Sequence, residues 1–429
     1  MTAAMHVAIL GKGGREHALA WKLAQSPLIE CVHVIPGNAG MSGLKKINCH
    51  PELSEMSQLI DFCREQEIAW VIPGSEEQLA QGIVDTLQAA GIRAFGPGKR
   101  SAMLESSKIF SKLFMQRHDI PTAKAVVCNS VDEAIAVITQ FHKQYGKVVV
   151  KASGLWAGKG VLVTDNLLQA FSFAHKIMRE RASEGVLIEA PLVGKELSLF
   201  ILSNGRQWKT LGMACDYKRL LNDNLGPNTG GMGCYIPQQW PAQHLMQKIE
   251  QEIIVPTLQG LEQEGLQYCG ILFIGLMIDE NKNDINVIEY NVRFGDPETQ
   301  TILPAMEQDL ALYISSCLGL LSYAPLDQLP ALAPVRSSVH VVATSRGYAQ
   351  GEMLTGRPIN MGKMPDGTEL FFAAVTAGRE QQQLMNDGGR VLGITAVGEN
   401  LQQARHLAYR GIGEITFDGM HWRTDIARN

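Results

Sequence analysis

Short apolar runs and amphipathic stretches take turns along the chain. His6 to Leu10 is an apolar run of strand length, and after a cluster of glycines a helical spacing of apolar residues continues through Leu23. Helical spacing over Leu53 to Gln66 leads into an apolar run at Ala69 to Ile72, and a further helix over Leu79 to Ala89 leads into Ile92 to Phe95. Strands that alternate with helices predict a parallel sheet, so residues 1–100 read as one α/β domain, punctuated at its end by Gly96-Pro97-Gly98. A helix is then expected from Ser101 to His118, with Lys108 and Lys112 four residues apart on one face, where lysines are ordinarily solvated. Strands at Lys147 to Lys151 and Val161 to Thr164 flank the glycine-rich loop SGLWAGKG, which carries Lys159. A helix over Leu167 to Arg181, a strand over Gly185 to Glu189 and the proline-containing linker Ala190 to Gly194 follow, and the next strand runs to Leu202 with Glu196 and Ser198 on one face. A long helix over Ala242 to Gly260 precedes a hairpin of Gly270 to Ile278 and Ile285 to Asn291, then a helix over Ile302 to Leu318. Pro325, Pro330 and Pro334 mark a linker. Beyond it, strands at Ser338 to Ala343, Glu369 to Val375 and Val391 to Val397 and a helix at Leu401 to Arg410 make a smaller α+β unit that shows no chemical constellation, so packing or a lid is its expected role.

The most informative stretch is INVIEYNVRFGDPETQ, residues 285–300. Strict alternation puts Val287, Glu289 and Asn291 on one face and Ile288, Tyr290 and Val292 on the other. A carboxylate beside an amide carbonyl suits a hard cation such as Mg²⁺, which takes its remaining ligands from water and nucleotide phosphates. Asp296-Pro297-Glu298 reads as a helix start with Asp296 at the N-cap, and Arg293 just before it can hold a carboxylate through two parallel hydrogen bonds. Near the N-terminus, Gly11-Lys12-Gly13-Gly14-Arg15 between strand and helix points backbone N–H groups at a phosphate. A dinucleotide fingerprint would want glycine at Glu16 and an acid where Pro36-Gly37-Asn38-Ala39-Gly40 stands, so no nicotinamide cofactor is expected. Four glycines in GPNTGGMG, residues 226–233, mark either a tight turn or a place where the main chain meets a ligand, and since a turn alone needs fewer glycines the ligand contact is expected.

Composition narrows the class. At 429 residues, 45% hydrophobic and 19% charged, the chain has the make-up of an ordinary globular protein of several domains. A net charge of −5 gives no reason to expect nucleic acid or a membrane as partner, and the longest apolar run, Gly270 to Ile278, is too short to span a bilayer. Eight cysteines without a C-x-x-C pair suggest neither a zinc site nor a disulfide framework, which fits reduced thiols in the cytoplasm.

Taken together, GKGGREHALAWKLAQSP (11–27), PGNAG (36–40), LESSKIFSK (104–112), KASGLWAGKGV (151–161), GPNTGGMG and RFGDPETQ (293–300) resemble the phosphoribosylamine–glycine ligase family of purine biosynthesis, within the ATP-grasp superfamily. The resemblance covers nearly the whole chain. It implies an α/β and α+β multidomain fold: a Rossmann-like N-terminal domain (1–100), a two-lobed ATP-grasp centre (101–328) with a lid subdomain at about 122–192, and a small α+β C-terminal domain (329–429). It also implies ligation of glycine to 5-phosphoribosylamine with ATP and Mg²⁺ or Mn²⁺, in a monomer or weak homo-oligomer. Carried onto matching positions, Lys108, Lys151 and Lys159 would contact ATP phosphates, Glu189 and Leu192 the adenine through backbone groups, and Glu196 the ribose. Glu289 and Asn291 would hold the metal. Arg293 and the Gly230-Gly231 backbone would take the glycine carboxylate, and Gly13, Gly14 and Arg15 the ribosylamine phosphate, with Asn38 and Glu76 nearby. Arg293 and Lys159 would be the catalytic pair.

Several positions depart from the family pattern: Ser153 and Trp156 in the glycine-rich loop, Ala190 at the hinge, Cys215, Tyr217, Asn222, Asn224 and Leu225 before GPNTGG, and the run Gly74 to Leu79. Because two acids give way to neutral Asn222 and Asn224, a ligase with a different acid or amine substrate is the first alternative. A nucleotide-binding protein without catalysis is the second.

Overall fold

The structure is a computed structural model that describes residues 4–428 apart from 157–159, 181–183, 321–322, 333, 335 and 381–382. Apolar β-branched runs at Met5–Gly11, Ile29–Pro36 and Ile68–Pro73 form a parallel sheet with Ile47–Cys49, in the order Ile47–Cys49, Ile29–Pro36, Met5–Gly11, Ile68–Pro73. Burial on both sides explains why these strands read as continuous apolar runs. Met5–Gly11 delivers the chain to the helix Gly14–Ala24. The expected strand at Ile92 to Phe95 is reduced to a single bridge between Val71 and Ala94. The expected helix over Leu79 to Ala89 is two helices, Glu76–Gln81 and Ile83–Ala89, because Gly82 sits between them at φ +93°.

A second, antiparallel sheet has the order Ala125–Cys128, Val186–Glu189, Val148–Ala152, Val161–Thr164 and is backed by the helices Val131–Tyr145 and Leu167–Glu180, with its own core. The third sheet has eight strands: Asp284–Asn291, Gly270–Asp279, Lys195–Ser203, Trp208–Asp216, Gly233–Tyr235, Ser337–Thr344, Arg390–Gly398 and Thr368–Phe372. Its last three strands belong to the C-terminal unit, joined through the pairing of Gly233–Tyr235 with Ser337–Thr344. Central and C-terminal parts therefore share one sheet, and the C-terminal unit is built into the centre rather than appended to it.

Helix boundaries depart from the periodic pattern where a side chain caps the backbone. Ser107 accepts the amide of Phe110 at 3.2 Å and splits the expected Ser101 to His118 helix into Met103–Ser106 and Lys108–Arg117. The helix after the Arg293 turn begins at Glu298 with Pro297 at its cap, so Asp296 is not the N-cap. Of the expected helix over Ile302 to Leu318, the regular part is Leu310–Cys317, capped by Asp309. Among the described residues no helix is long and apolar enough to cross a membrane, and none of the eight cysteines is in a disulfide.

Candidate active site

The strand Asp284–Asn291 pairs Leu276 with Val287 but Gly275 with Glu289, which leaves Ile288 as an extra residue, a β-bulge. The bulge resets the phase of the side chains. Ile285 and Val287 before it and Tyr290 and Val292 after it all enter the core, while Glu289 and Asn291 leave on the opposite side, where the Asn291 amide donates to the Glu289 carboxylate. The expected pairing of Glu289 with Asn291 holds; the expected placement of Val287 beside them does not.

Three lysines converge on this pair. Lys151, on Val148–Ala152, reaches from the four-stranded sheet to donate to the Ile288 carbonyl at 3.2 Å, and its Nζ lies 2.7 Å from Glu189 Oε2. Lys108, in the first turn of its helix, donates to the Gly154 carbonyl at 3.4 Å. Burial drives the Lys108 ammonium below its ordinary pKa against the pull of Glu289. Lys218 lies 3.4 Å from Glu196, and although burial opposes its charge, Glu196 and Glu289 together raise its pKa. Burial likewise opposes the Glu289 charge, but Lys218, Lys151 and Lys108 outweigh it and hold the carboxyl below the usual range. The result is an ionised carboxylate beside the Asn291 amide, ringed by cations, in the angle between two sheets.

Glu189 closes the strand Val186–Glu189, and the segment from Ala190 to Gly194, with half-buried Leu192, carries the chain into Lys195–Ser203 of the large sheet. Both Glu189 and Leu192 therefore sit at the joint between the sheets, and exposed Glu196 lies just past it. Lys159 lies outside the described residues. Lys112 was expected at the surface, yet its residue is 2% exposed, with Nζ 2.9 Å from Glu189 and donating to Thr122 Oγ1 at 2.7 Å. Two lysines thus flank one buried carboxylate. Lys112→Met leaves Glu189 with Lys151 alone and strips Thr122 Oγ1 and the Ala123 carbonyl of their buried donor, so it is expected to lower stability by about 2 kcal/mol, read as a fall in the urea midpoint. An unchanged midpoint would show Lys112 to be dispensable.

A second constellation lies around the GPNTGG turn. Asp216 and Glu298 are buried carboxyls that both titrate above the usual range, because burial opposes their charge and Asp216 feels Glu298 as a second acid. Ser198 donates to Glu298 at 3.2 Å, whereas Asp216 Oδ1 is buried without a hydrogen-bond partner among the described residues. Gly231 faces that oxygen at φ +114°. A Cβ there would stand 2.8 Å from Asp216 Oδ1 and 2.4 Å from Pro297 Cδ, so this position needs glycine for close approach of two chain segments. Neighbouring Gly230 donates its amide to the Tyr348 hydroxyl at 3.0 Å and accepts from Arg390 Nη1 at 2.6 Å. Arg390 also bonds the Asp296 carboxylate and the Asp296 carbonyl, each at 2.8 Å. Local pattern singled out neither this C-terminal arginine nor Asp216 and Lys218, whereas Glu298 lies within RFGDPETQ; only the continuous sheet brings Arg390 here.

Arg293 is less free than expected. Its Nε lies 3.1 Å from Glu76, one Nη 3.1 Å from Glu105, and the other donates to the Phe294 carbonyl at 3.1 Å. The glycine loop is likewise engaged within the protein. Gly13 N–H donates to Glu16 at 2.6 Å, Arg15 donates to Glu16 at 2.6 Å and to the Phe294 carbonyl at 3.1 Å, and a Cβ on Gly14 would stand 2.7 Å from Gln300 Nε2. The Asn38 amide donates to Lys12, Phe372 and Ala373 carbonyls and accepts from Gly40 N–H, so it fastens the loops to the C-terminal unit. The loop, Arg293 and Glu76 are brought together; Asn38 has its polar atoms spent.

Asn222, Asn224, Tyr217, Ser153 and Trp156, among the departures from the family pattern, have local partners. Asn222 exchanges hydrogen bonds with Thr424, Asn224 accepts from Arg423 at 3.1 Å, and the Tyr217 ring lies under the Arg423 guanidinium at 4.7 Å. These residues bind the last segment of the chain. Ser153 meets the Ser107 hydroxyl at 3.2 Å and accepts from the Trp156 indole at 2.9 Å.

Comparison with known proteins adds three family matches: the phosphoribosylglycinamide synthetase N domain over residues 5–105, its ATP-grasp (A) domain over 106–299 and its C domain over 338–429. The chain is 41% identical over 431 residues to a phosphoribosylamine–glycine ligase of Nostoc sp., covering 98% of this chain and 99% of that one. It is 41% identical to the human trifunctional purine biosynthetic protein adenosine-3, of whose length it spans 42%. The crystal structure of a phosphoribosylamine–glycine ligase from Thermotoga maritima superposes with a TM-score of 0.84 at 33% identity, covering 98% of this chain and all of that one.

Proposed function

The chain belongs to the phosphoribosylamine–glycine ligase family, and on that premise we propose that it joins glycine to 5-phosphoribosylamine with ATP, giving glycinamide ribonucleotide, ADP and phosphate. The observation that carries the reading is the convergence of Lys108, Lys151 and Lys218 on the Glu289–Asn291 pair between the two sheets. A carboxylate does not react with an amine in water. Transfer of the γ-phosphoryl group to the glycine carboxylate makes an acyl phosphate and releases ADP; the ribosylamine nitrogen then attacks the acyl carbon, phosphate leaves, and the nitrogen gives up a proton. Such a sequence asks the protein mainly for positioning and charge neutralisation.

Lys108 and Lys151 are the proposed phosphate contacts, with Lys159 joining them, the Glu189 to Leu192 backbone receiving the adenine and Glu196 the ribose. The Glu289–Asn291 donor set consists of oxygens only, beside cations that attract further negative ligands, and so fits Mg²⁺ or Mn²⁺, which would neutralise phosphate charge when bound. Asp216 Oδ1, without a partner among the described residues, is the proposed seat of the glycine ammonium group, and the Gly230-Gly231 turn lies beside it. In this reading Arg293 keeps Glu105 and exchanges its more exposed partner, Glu76, for the glycine carboxylate. The N-terminus of Gly14–Ala24, through the Gly14 and Arg15 amides, would take the ribosylamine phosphate, with Gly13 and Asn38 shaping the turn. The alternative of a different substrate loses its motive, because Asn222 and Asn224 are engaged with the chain's last segment. The free thiols fit a reducing compartment such as the cytoplasm.

The test is product identification by mass spectrometry after incubation with ATP, Mg²⁺, glycine and freshly generated phosphoribosylamine. Glycinamide ribonucleotide should appear in step with ADP. ADP release indifferent to glycine, or no turnover with any carboxylate, would refute the proposal.

A further inference from the structure

Far along the strand from the Gly13 loop, the N-terminal sheet gathers a group of residues that the ligation does not use. His6 lies on Met5–Gly11, and Cys31 and His33 on the neighbouring Ile29–Pro36; the parallel register sets His6 beside Cys31 and Ala8 beside His33. Cys31 and His33, two residues apart, share one face of their strand. Ligand atoms of all three lie within 4.8 Å of one another, and His6 Nδ1 is 3.1 Å from His33 Nε2. Two imidazole nitrogens bound at about 2.0–2.1 Å in a tetrahedral shell stand about 3.3 Å apart, so this edge is already at its bound length.

The surroundings have the layout of an outer shell. The far nitrogen of His33, Nδ1, is 2.9 Å from His50 Nε2, and His50 Nδ1 is 3.1 Å from Glu52. A carboxylate at the end of an imidazole chain fixes the tautomer that leaves His33 Nε2 free to coordinate. Asn48 donates to the Cys31 sulfur at 3.3 Å, as expected around a thiolate ligand. Cys31 and His33 are buried and His6 half-buried, which leaves an approach from solvent on one side. A hydrogen-bonded row of imidazoles alone would account for the three rings but for neither the thiol turned toward them nor its amide donor.

We propose that His6, Cys31 and His33 bind one borderline-soft divalent metal ion of the Zn²⁺ and Co²⁺ class, with water completing the shell, separate from the cation of the ligation site. One thiolate and two imidazoles favour such an ion over Mg²⁺. Sequence spacing could not reveal the site, because positions 6, 31 and 33 become neighbours only through strand pairing. The ion would cross-link the two strands at their starts.

Co²⁺ titration of the whole protein in saturating Mg²⁺ tests this. One equivalent should produce a thiolate-to-cobalt charge-transfer band together with the visible bands of tetrahedral cobalt, and Zn²⁺ should abolish both by displacement. Cys31→Ser should remove the charge-transfer band, and His6→Gln, at the half-buried rim, should lose the tetrahedral spectrum while ligation in Mg²⁺ alone is unchanged. His50→Gln should weaken Co²⁺ binding about 10–100-fold through loss of the outer contact. No thiolate band in the folded wild-type protein, or a band that survives in both Cys31→Ser and His6→Gln, would overturn the proposal.

Discussion

Glu289→Gln is expected to lower kcat for ATP-dependent ligation about 10³-fold, the loss associated with removing one charge-stabilising group from a preorganised site. The substitution keeps size and hydrogen-bonding reach but removes the negative charge, and with it the group that Lys218, Lys151 and Lys108 surround. Two consequences are expected at once. The proposed metal site loses its carboxylate, so the Mg²⁺ concentration for half-maximal rate should rise, and Lys218, Lys151 and Lys108 are left without their common partner. Because the lysines hold the Glu289 carboxyl below the usual range, the wild-type group stays ionised across neutral and mildly acid pH, and activity should show no fall from its protonation until the pH is below that range. Steady-state ADP release with glycine, measured against pH and Mg²⁺, checks both. Retention of activity within about 5-fold of wild type would remove Glu289 from the chemistry, since loss of even one oxyanion-type donor is normally larger than that.

This centre was largely legible in the sequence, for a physical reason: Glu289, Asn291 and Arg293 are close neighbours in one strand and its exit turn, and local periodicity suffices to put two oxygens side by side. What periodicity could not supply was the bulge at Ile288, which turns Val287 into the core while leaving the Glu289–Asn291 pair in phase. Helix ends were misread for a similar reason. Asp296-Pro297 has the composition of a helix start, but Asp296 is drawn away by an arginine 94 residues distant in sequence. Lys112 looked like a surface lysine because the helix pattern does not register a buried partner on another strand, here Glu189. Least legible was how the C-terminal unit reaches the GPNTGG turn: Gly233–Tyr235 is three residues long, too short to announce that it splices two sheets into one.

That splice makes Arg390 the second residue whose loss should be costly. Arg390→Met is expected to lower kcat/KM for glycine about 10²-fold while leaving KM for ATP near its wild-type value, because a small misplacement of groups that position a substrate is worth that much. The guanidinium ties Gly230 on one strand connection to Asp296 on another, and it stands among the charges that face Asp216. Stability should fall as well, by about 2 kcal/mol, less than for a fully buried pair because both side chains are 22% exposed. The pH dependence separates this pair from a general packing defect. Burial raises the Asp296 pKa, but Arg390 and Arg15 together with Gln300 outweigh it, so the folded value lies below the ordinary one. Asp296 therefore adds stability that is fully present above its unfolded value, near 4, and is lost as pH falls through its lower folded value. Without Arg390 the folded value rises and that loss sets in at higher pH, so the acid-unfolding midpoint should move upward in the variant. Arg390→Lys, which keeps the charge but not the two-sided grip, should restore most of the acid midpoint and little of the glycine kcat/KM. If the methionine variant instead unfolds more easily at every pH by the same amount and turns over glycine normally once folded, Arg390 braces the shared sheet and has no part in presenting the substrate.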